Sequence, residues 1–242
     1  MKKVFSSIYA VACYGVGFVS LLYWIASTGN LFPETSIDGP PTMDTSRALL
    51  KNLLLVLLFG IQHTVMARKG FKDWLTQFIP QHLERSTYVL ATGIVLTLLV
   101  WQWEPLGGVV WRISKESPGH TVMYGLYFTG WIILFVSTFI INHFDHFGFR
   151  QDYLDRRNKP YESINFKVVS FYKYTRHPLY LGALMGIWST PTMTVTHLVY
   201  AVLLTGYIFI GIYYEEKDLI SAFGAQYLKY KASTPTIIPF KF

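Results

Sequence analysis

Apolar residues run along this chain in long blocks, and polar residues gather between them. Phe5–Ser27 contains no charged side chain and is preceded by Lys2 and Lys3. It is too long for a signal-peptide core, so it is expected to be a retained membrane span. Further blocks at Ala48–Ala67, Tyr88–Trp103 and Val122–Ile141 predict three more spans. Lys51 lies close enough to one end of its block to reach the interface. After a polar stretch, Leu179–Ser189 is about half as long as the roughly 20 residues of a full crossing, and it stops at Pro191. Leu198–Tyr214 follows almost at once, so the two are expected to form a tight helical hairpin. The expected class is therefore all-α: a polytopic membrane bundle of six segments, the fifth one short.

The intervening pieces behave differently. Leu31–Ser46 carries Pro33, Gly39, Pro40, Pro41 and three acids, which ends a helix and favours an irregular loop. Asn142–Arg176 is too charged to cross a bilayer and is the largest expected soluble loop. From Glu215 onward the chain is basic and amphipathic, with Phe223, Tyr227 and Tyr230 on one helical face. No internal repeat interrupts this order. A single domain is expected, with four spans in 1–141 and a second half, 142–242, made of loop, hairpin and tail.

Charge fixes an expected orientation. With the N-terminus inside, 17 of the 21 Lys and Arg fall on the cytoplasmic side, and only Arg47, Lys51, Arg112 and Lys115 fall opposite. This satisfies the positive-inside rule and, with six spans, also places the C-terminus inside. The net charge of +7 is thus distributed over loops rather than along one stripe, and no nucleic-acid partner is expected. The lipid bilayer is the expected partner. The hydrophobic share of 52% exceeds what one soluble core of this length requires. Cys13, the single cysteine, sits in an apolar block, which excludes an intrachain disulfide and reads as packing.

Polar groups at the ends of spans are the candidates for chemistry, because leaving them unpaired in lipid is costly. Gln62 and His63 end the second span, Asn142, His143, Asp145 and His146 end the fourth, Arg176 and His177 open the fifth, and Glu215 and Glu216 close the sixth. Pro178 suits the first turn of a helix, so Arg176 and His177 precede a helix N-terminus, which attracts anions. Arg offers a bidentate grip on a carboxylate. Gly182 and Gly186 allow another backbone or a flat ligand to come close. A carboxylate such as Glu215 or Glu216 can accept both hydroxyls of a ribose. Each feature also has a plainer account: an interfacial Arg and His anchoring a span, a solvated helix end, aromatic side chains seated at the membrane surface.

Taken in order, R-H-P-x-Y-x-G at Arg176–Gly182, the Glu215, Glu216 pair and F-G-x-x-Y-x-x-Y at Phe223–Tyr230 resemble the isoprenylcysteine carboxyl methyltransferase superfamily over Tyr174–Pro239. The resemblance implies a cytoplasmic-side pocket for S-adenosylmethionine, released as S-adenosylhomocysteine, formed by Tyr174, Arg176, His177, Pro178, Tyr180, Gly182, Glu215, Glu216 and Tyr227. No G-x-G-x-x-G fingerprint competes with it. In the N-terminal half, Gln62–Arg68 and Asn142–Gln151 are similar to the methanethiol S-methyltransferases and overlap the NnrU-like membrane proteins.

That likeness implies a small thiol as methyl acceptor, with Gln62, Asn142, His146 and Arg150 on the acceptor side. A thiol is mostly protonated at neutral pH, so a base or a cation should assist. His143 is the expected base, oriented by Asp145 or a neighbouring group, with His63 the second candidate. Three alternatives stay open. His63, His143, His146 and Asp145 are ligand types that suit a metal; a lipid or protein carboxyl group is another acceptor for the same cofactor; and an NnrU-like accessory protein would bind no cofactor. The expected location is the bacterial inner membrane.

Overall fold

A computed structural model describes residues 2–32, 36–162 and 165–238. Pro33 of the first loop and Pro239 at the end of the resembling segment lie outside the described residues. The helices are α1 (Lys2–Thr28), α2 (Thr45–Met66), α3 (Lys69–Leu75), α4 (Glu84–Trp101), α5 (Pro118–Ile141), α6 (His143–His146), α7 (Phe149–Arg156), α8 (Pro178–Trp188), α9 (Val195–Phe223) and α10 (Ala225–Ser233). Two short strands, β1 (Val109–Arg112) and β2 (Thr192–Thr194), pair antiparallel. Among the described residues five helices are long and apolar enough to span a membrane, and α8 is a shorter apolar helix. On α2 the side chains of Leu50, Leu54, Leu57 and Ile61 are exposed, as are Phe128, Ile132 and Phe139 on α5. Stripes of this kind need lipid to cover them. The protein is a polytopic helical membrane protein.

The chain forms two compact units, residues 1–107 with 142–163, and residues 108–141 with 164–242. In the first, α1 packs on α4 and α4 on α2. The α1–α4 crossing is close because Gly17 faces Gly93: a Cβ on Gly93 would lie 3.0 Å from the Gly17 Cα. Small residues drive helix association in this way where lipid removes the hydrophobic term. Hydroxyls fasten the seam, with Thr97 donating to Ser20 (2.9 Å) and Tyr9 bonded to Thr87 (3.0 Å). Asp44 caps α2 by accepting from the Arg47 amide. At the same end Asn52 exchanges two 2.8 Å hydrogen bonds with the Glu104 backbone, while Lys51 pairs with the Glu104 carboxylate at 2.7 Å. Helix α7 lies on α1, with Ser7 donating to Asp152 at 2.7 Å.

In the second unit α5 packs along α8. A Cβ on Gly130 would stand 2.6 Å from the Gly182 carbonyl and 2.7 Å from the Gly186 amide. The close approach expected at Gly182 and Gly186 is therefore made by α5, by its backbone at Gly182 and by the Trp131 indole at Gly186. Gly182→Ala is expected to lower stability by about 1–3 kcal/mol through overpacking, read as a lower unfolding temperature in detergent.

Helix α9 departs from expectation. The last span was expected at Leu198–Tyr214, yet the helix runs unbroken from Val195 to Phe223 and carries Glu215 and Glu216 within it. Hydropathy stops at charge, but Glu, Lys and Leu continue a helix readily. Its 29 residues extend about 43 Å at 1.5 Å each, beyond the roughly 30 Å hydrocarbon layer. Gly224, at φ 52°, then turns the chain into α10.

Candidate active site

In the second unit the residues around the α8 N-terminus form a dense charged cluster. Pro178 occupies the first turn and His177 is the N-cap position, both buried. Arg176 Nε donates to Glu216 Oε1 at 2.7 Å, with the two side chains only 8% and 9% exposed. A buried ion pair is costly unless its other polar atoms are satisfied, and here they are. Glu216 also accepts from Lys231 Nζ (2.7 Å) and lies 3.2 Å from His177 Nε2. Arg176 further donates to the carbonyls of Lys231 (3.1 Å) and Thr234 and to the Thr236 hydroxyl (2.7 Å). The backbone repeats the connection, since the amides of Arg176 and His177 donate to Pro235 and Thr236 at 2.9 and 3.2 Å. The segment after α10 is thus strapped across the entrance to α8.

The other residues that the resemblance implies for the cofactor are placed unequally around this frame. Glu215 is 45% exposed, its Oε2 3.8 Å from His177 Nδ1. Tyr180 lies with its ring 5.6 Å from that of His177. Tyr174 is 66% exposed and turns outward. Tyr227 is buried, and its hydroxyl has no hydrogen-bond partner among the described residues. Burial, with Glu216 adding to it, pushes the Tyr227 phenol upward, so it is a donor at neutral pH. Its neighbour Tyr230 is pushed up to about 12, chiefly by burial, and donates to the Tyr172 carbonyl at 2.6 Å. Phe166 caps this face, its ring 5.7 Å from Tyr227 and 5.3 Å from Phe223. Lys231, Thr234 and Thr236 had no signature in the sequence, because their part is to supply acceptors to Arg176 and, from the Lys231 ammonium, a second cation to Glu216.

A second cluster belongs to the first unit. His143 is buried, its Nε2 3.1 Å from the Tyr14 hydroxyl and its ring 4.6 Å from that of Phe147. Burial lowers its pKa, so the imidazole is neutral at pH 7. Asn142 caps α6 by accepting from the Asp145 amide at 3.1 Å. Asp145, expected to orient His143, instead accepts from Arg150 (2.8 Å) and Tyr161 (3.2 Å) and fastens the segment after α7.

His63 shares hydrogen bonds with Tyr88 (2.9 Å) and Thr92 (3.3 Å), and Gln62 donates to Thr92 at 3.4 Å. The Arg85 guanidinium sits over the Tyr88 ring, 4.9 Å from its centroid, and Nε donates to the His146 carbonyl at 2.7 Å. His63 and His146 therefore meet one linked cluster through Tyr88 and Arg85. Arg85, Tyr88 and Thr92, spaced by three and four on one face of α4, were its overlooked signal. Among the described residues no three His, Cys, Asp or Glu side chains gather as a metal-binding group.

Six apolar helices among the described residues, with charged clusters at helix ends, define an integral membrane protein with the polar equipment of an enzyme. The chain is 43% identical over 240 residues to methanethiol S-methyltransferase of Crocosphaera subtropica, covering 99% of this chain and 94% of that one. It is 40% identical over 239 residues to methanethiol S-methyltransferase of Mycobacterium tuberculosis, covering 99% and 98%. Nurim of Rattus norvegicus is 28% identical over 180 residues, covering 71% and 68%. No family model and no solved structure matches the chain. The protein is a membrane-embedded methyltransferase. It belongs to the methanethiol S-methyltransferase family.

Proposed function

We propose that this chain transfers a methyl group from S-adenosylmethionine to methanethiol, giving dimethyl sulfide and S-adenosylhomocysteine. The observation that carries this reading is the similarity to proteins of that name along essentially the whole chain. We place the reaction at the cytoplasmic face of a bacterial inner membrane, on the distribution of Lys and Arg between the spans.

We assign the donor to the cluster of the second unit. Arg176, Glu216 and Lys231 frame the site by holding one another and the C-terminal strap, with Pro178 and Gly182 setting the course of α8. The buried Tyr227 hydroxyl has a hydrogen bond left to give, and the exposed Glu215 carboxylate has the capacity to accept. Those two groups, with His177 and Tyr180, fit a polar nucleoside guest, while Tyr174 stands at the rim. S-Adenosylmethionine supplies an electrophilic methyl group on a sulfonium. Tyr227→Phe is expected to weaken its binding about two- to tenfold, the worth of one hydrogen bond, and to leave thermal stability unchanged, since no protein contact is lost.

We assign the thiol's proton to His143. A neutral imidazole takes it, the thiolate sulfur attacks the methyl carbon in line, and the bond to the sulfonium sulfur breaks with its electron pair retained on that sulfur. Gln62, His63, Asn142, His146 and Arg150 are assigned to the acceptor side of the reaction.

Purified protein supplied with S-adenosylmethionine and methanethiol should release dimethyl sulfide into the headspace. Methylation of a prenylcysteine in its place would move the assignment to a carboxyl acceptor. Absence of S-adenosylmethionine binding in calorimetry would leave an accessory role and end the proposal.

A further inference from the structure

Arg85 carries a charge that the fold does not neutralise. Among the described residues no carboxylate lies within ion-pair distance of it, whereas Arg150 has Asp145 at 2.8 Å and Lys72 has Glu84 at 3.9 Å. Its protein contacts are all to neutral groups: the His146 carbonyl at 2.7 Å, the His146 ring nitrogen Nδ1 at 3.5 Å and the face of Tyr88. Nη1 has no partner among the described residues. The titratable groups that feel the guanidinium are His63 on α2, His146 on α6 and Tyr161, with Tyr88 beneath it on α4; the acids of the adjoining segments are Glu84 and Asp145. Of the acids, Asp145 is held by Arg150 and Tyr161, and Glu84 faces Lys72. A cation oriented by neutral acceptors and an aromatic face, with hydrogen-bonding capacity remaining, is an anion site.

Resting on the function proposed above, we infer that Arg85 binds the acceptor as its thiolate. The reaction creates an anion there at one moment only, when the S–H proton has passed to the histidine base and the new S–CH3 bond has not formed. Arg cannot give up its own proton, so its contribution is electrostatic. A cation beside a thiol lowers the thiol's pKa and enlarges the reactive fraction at neutral pH. The permanence of this charge also sets a division of labour, since the imidazoles accept protons and Arg85 holds the product of their loss.

Rates of the full-length protein would be measured from pH 6 to 9.5 with S-adenosylmethionine and methanethiol. Arg85→Gln is expected to move the ascending limb up by about one to two pH units, a loss of about 10- to 100-fold at pH 7 that largely recovers at alkaline pH. Arg85→Lys should restore much of the neutral rate. With trifluoroethanethiol, a small and more acidic acceptor, the loss in Arg85→Gln should shrink. A uniform drop at every pH, equal for both thiols, would overturn the inference and leave Arg85 a packing residue. Wild-type protein that binds S-adenosylmethionine but methylates no thiol would overturn the inference together with the function it rests on.

Discussion

Replacing Glu216 with Gln is expected to lower the stability of the protein by about 3–5 kcal/mol, because it leaves a buried cation without its partner. Three groups lose their common acceptor charge at once: Arg176 at 2.7 Å, Lys231 at 2.7 Å and His177 at 3.2 Å. Arg176 also holds the Lys231 and Thr234 carbonyls and the Thr236 hydroxyl, so the strap after α10 should loosen with it. Binding of S-adenosylmethionine is expected to fall below detection.

The double variant Arg176→Met, Glu216→Leu separates the two consequences. Removing both buried charges together avoids the unpaired ion and should recover part of the stability. It should recover none of the binding, because the strap keeps its backbone bonds to Arg176 and His177 but loses every one to the Arg176 guanidinium. Tryptophan fluorescence during heating in detergent, with and without S-adenosylmethionine, reads both quantities. A Glu216→Gln protein as stable as wild type would show that the cluster is solvated and that its geometry carries no energy.

This cluster also shows where the sequence was legible and where it was not. The type and order of Arg176, His177, Pro178, Glu215 and Glu216 were enough to bring attention to the α8 N-terminus and α9. Spacing alone did not tell which partner Arg176 takes, since the guanidinium suits a ligand carboxylate, Glu216 or the acceptors at Thr234 and Thr236. The same holds for Gly182: lack of a side chain announces a close approach, but only the fold names α5 as what approaches. The apolar blocks predicted the helices well because lipid demands internally bonded segments of a set length. They failed at the end of α9, where the helix outlasts its hydrophobicity, and at Arg85, which counted among loop charges while standing on the first turn of α4. Asp145 and Tyr14 illustrate a further limit. Proximity in sequence suggested that Asp145 orients His143, yet the chain turns Asp145 toward Arg150 and brings Tyr14 from α1 to the imidazole.

His143→Ala is expected to reduce turnover by about 10²- to 10⁴-fold, the usual worth of a positioned base, while binding of S-adenosylmethionine persists. The pH dependence follows from the sign of the shift. Burial holds the His143 pKa below the ordinary value of 6.5, so the neutral, proton-accepting form survives as pH falls through that value and is lost only further down. Wild-type activity should therefore show no histidine-type decline at pH 6.5, and the neutral state should hold a stability contribution that weakens as the unfolded chain begins to take up the proton. Tyr14→Phe removes the hydroxyl 3.1 Å from Nε2 without removing the ring, and a smaller loss is expected from it. Added imidazole should partly restore His143→Ala by entering the space the side chain leaves, which a merely structural loss would not allow. Full activity in His143→Ala would transfer the role of base to His63, whose Tyr88 and Thr92 contacts then become the ones to change.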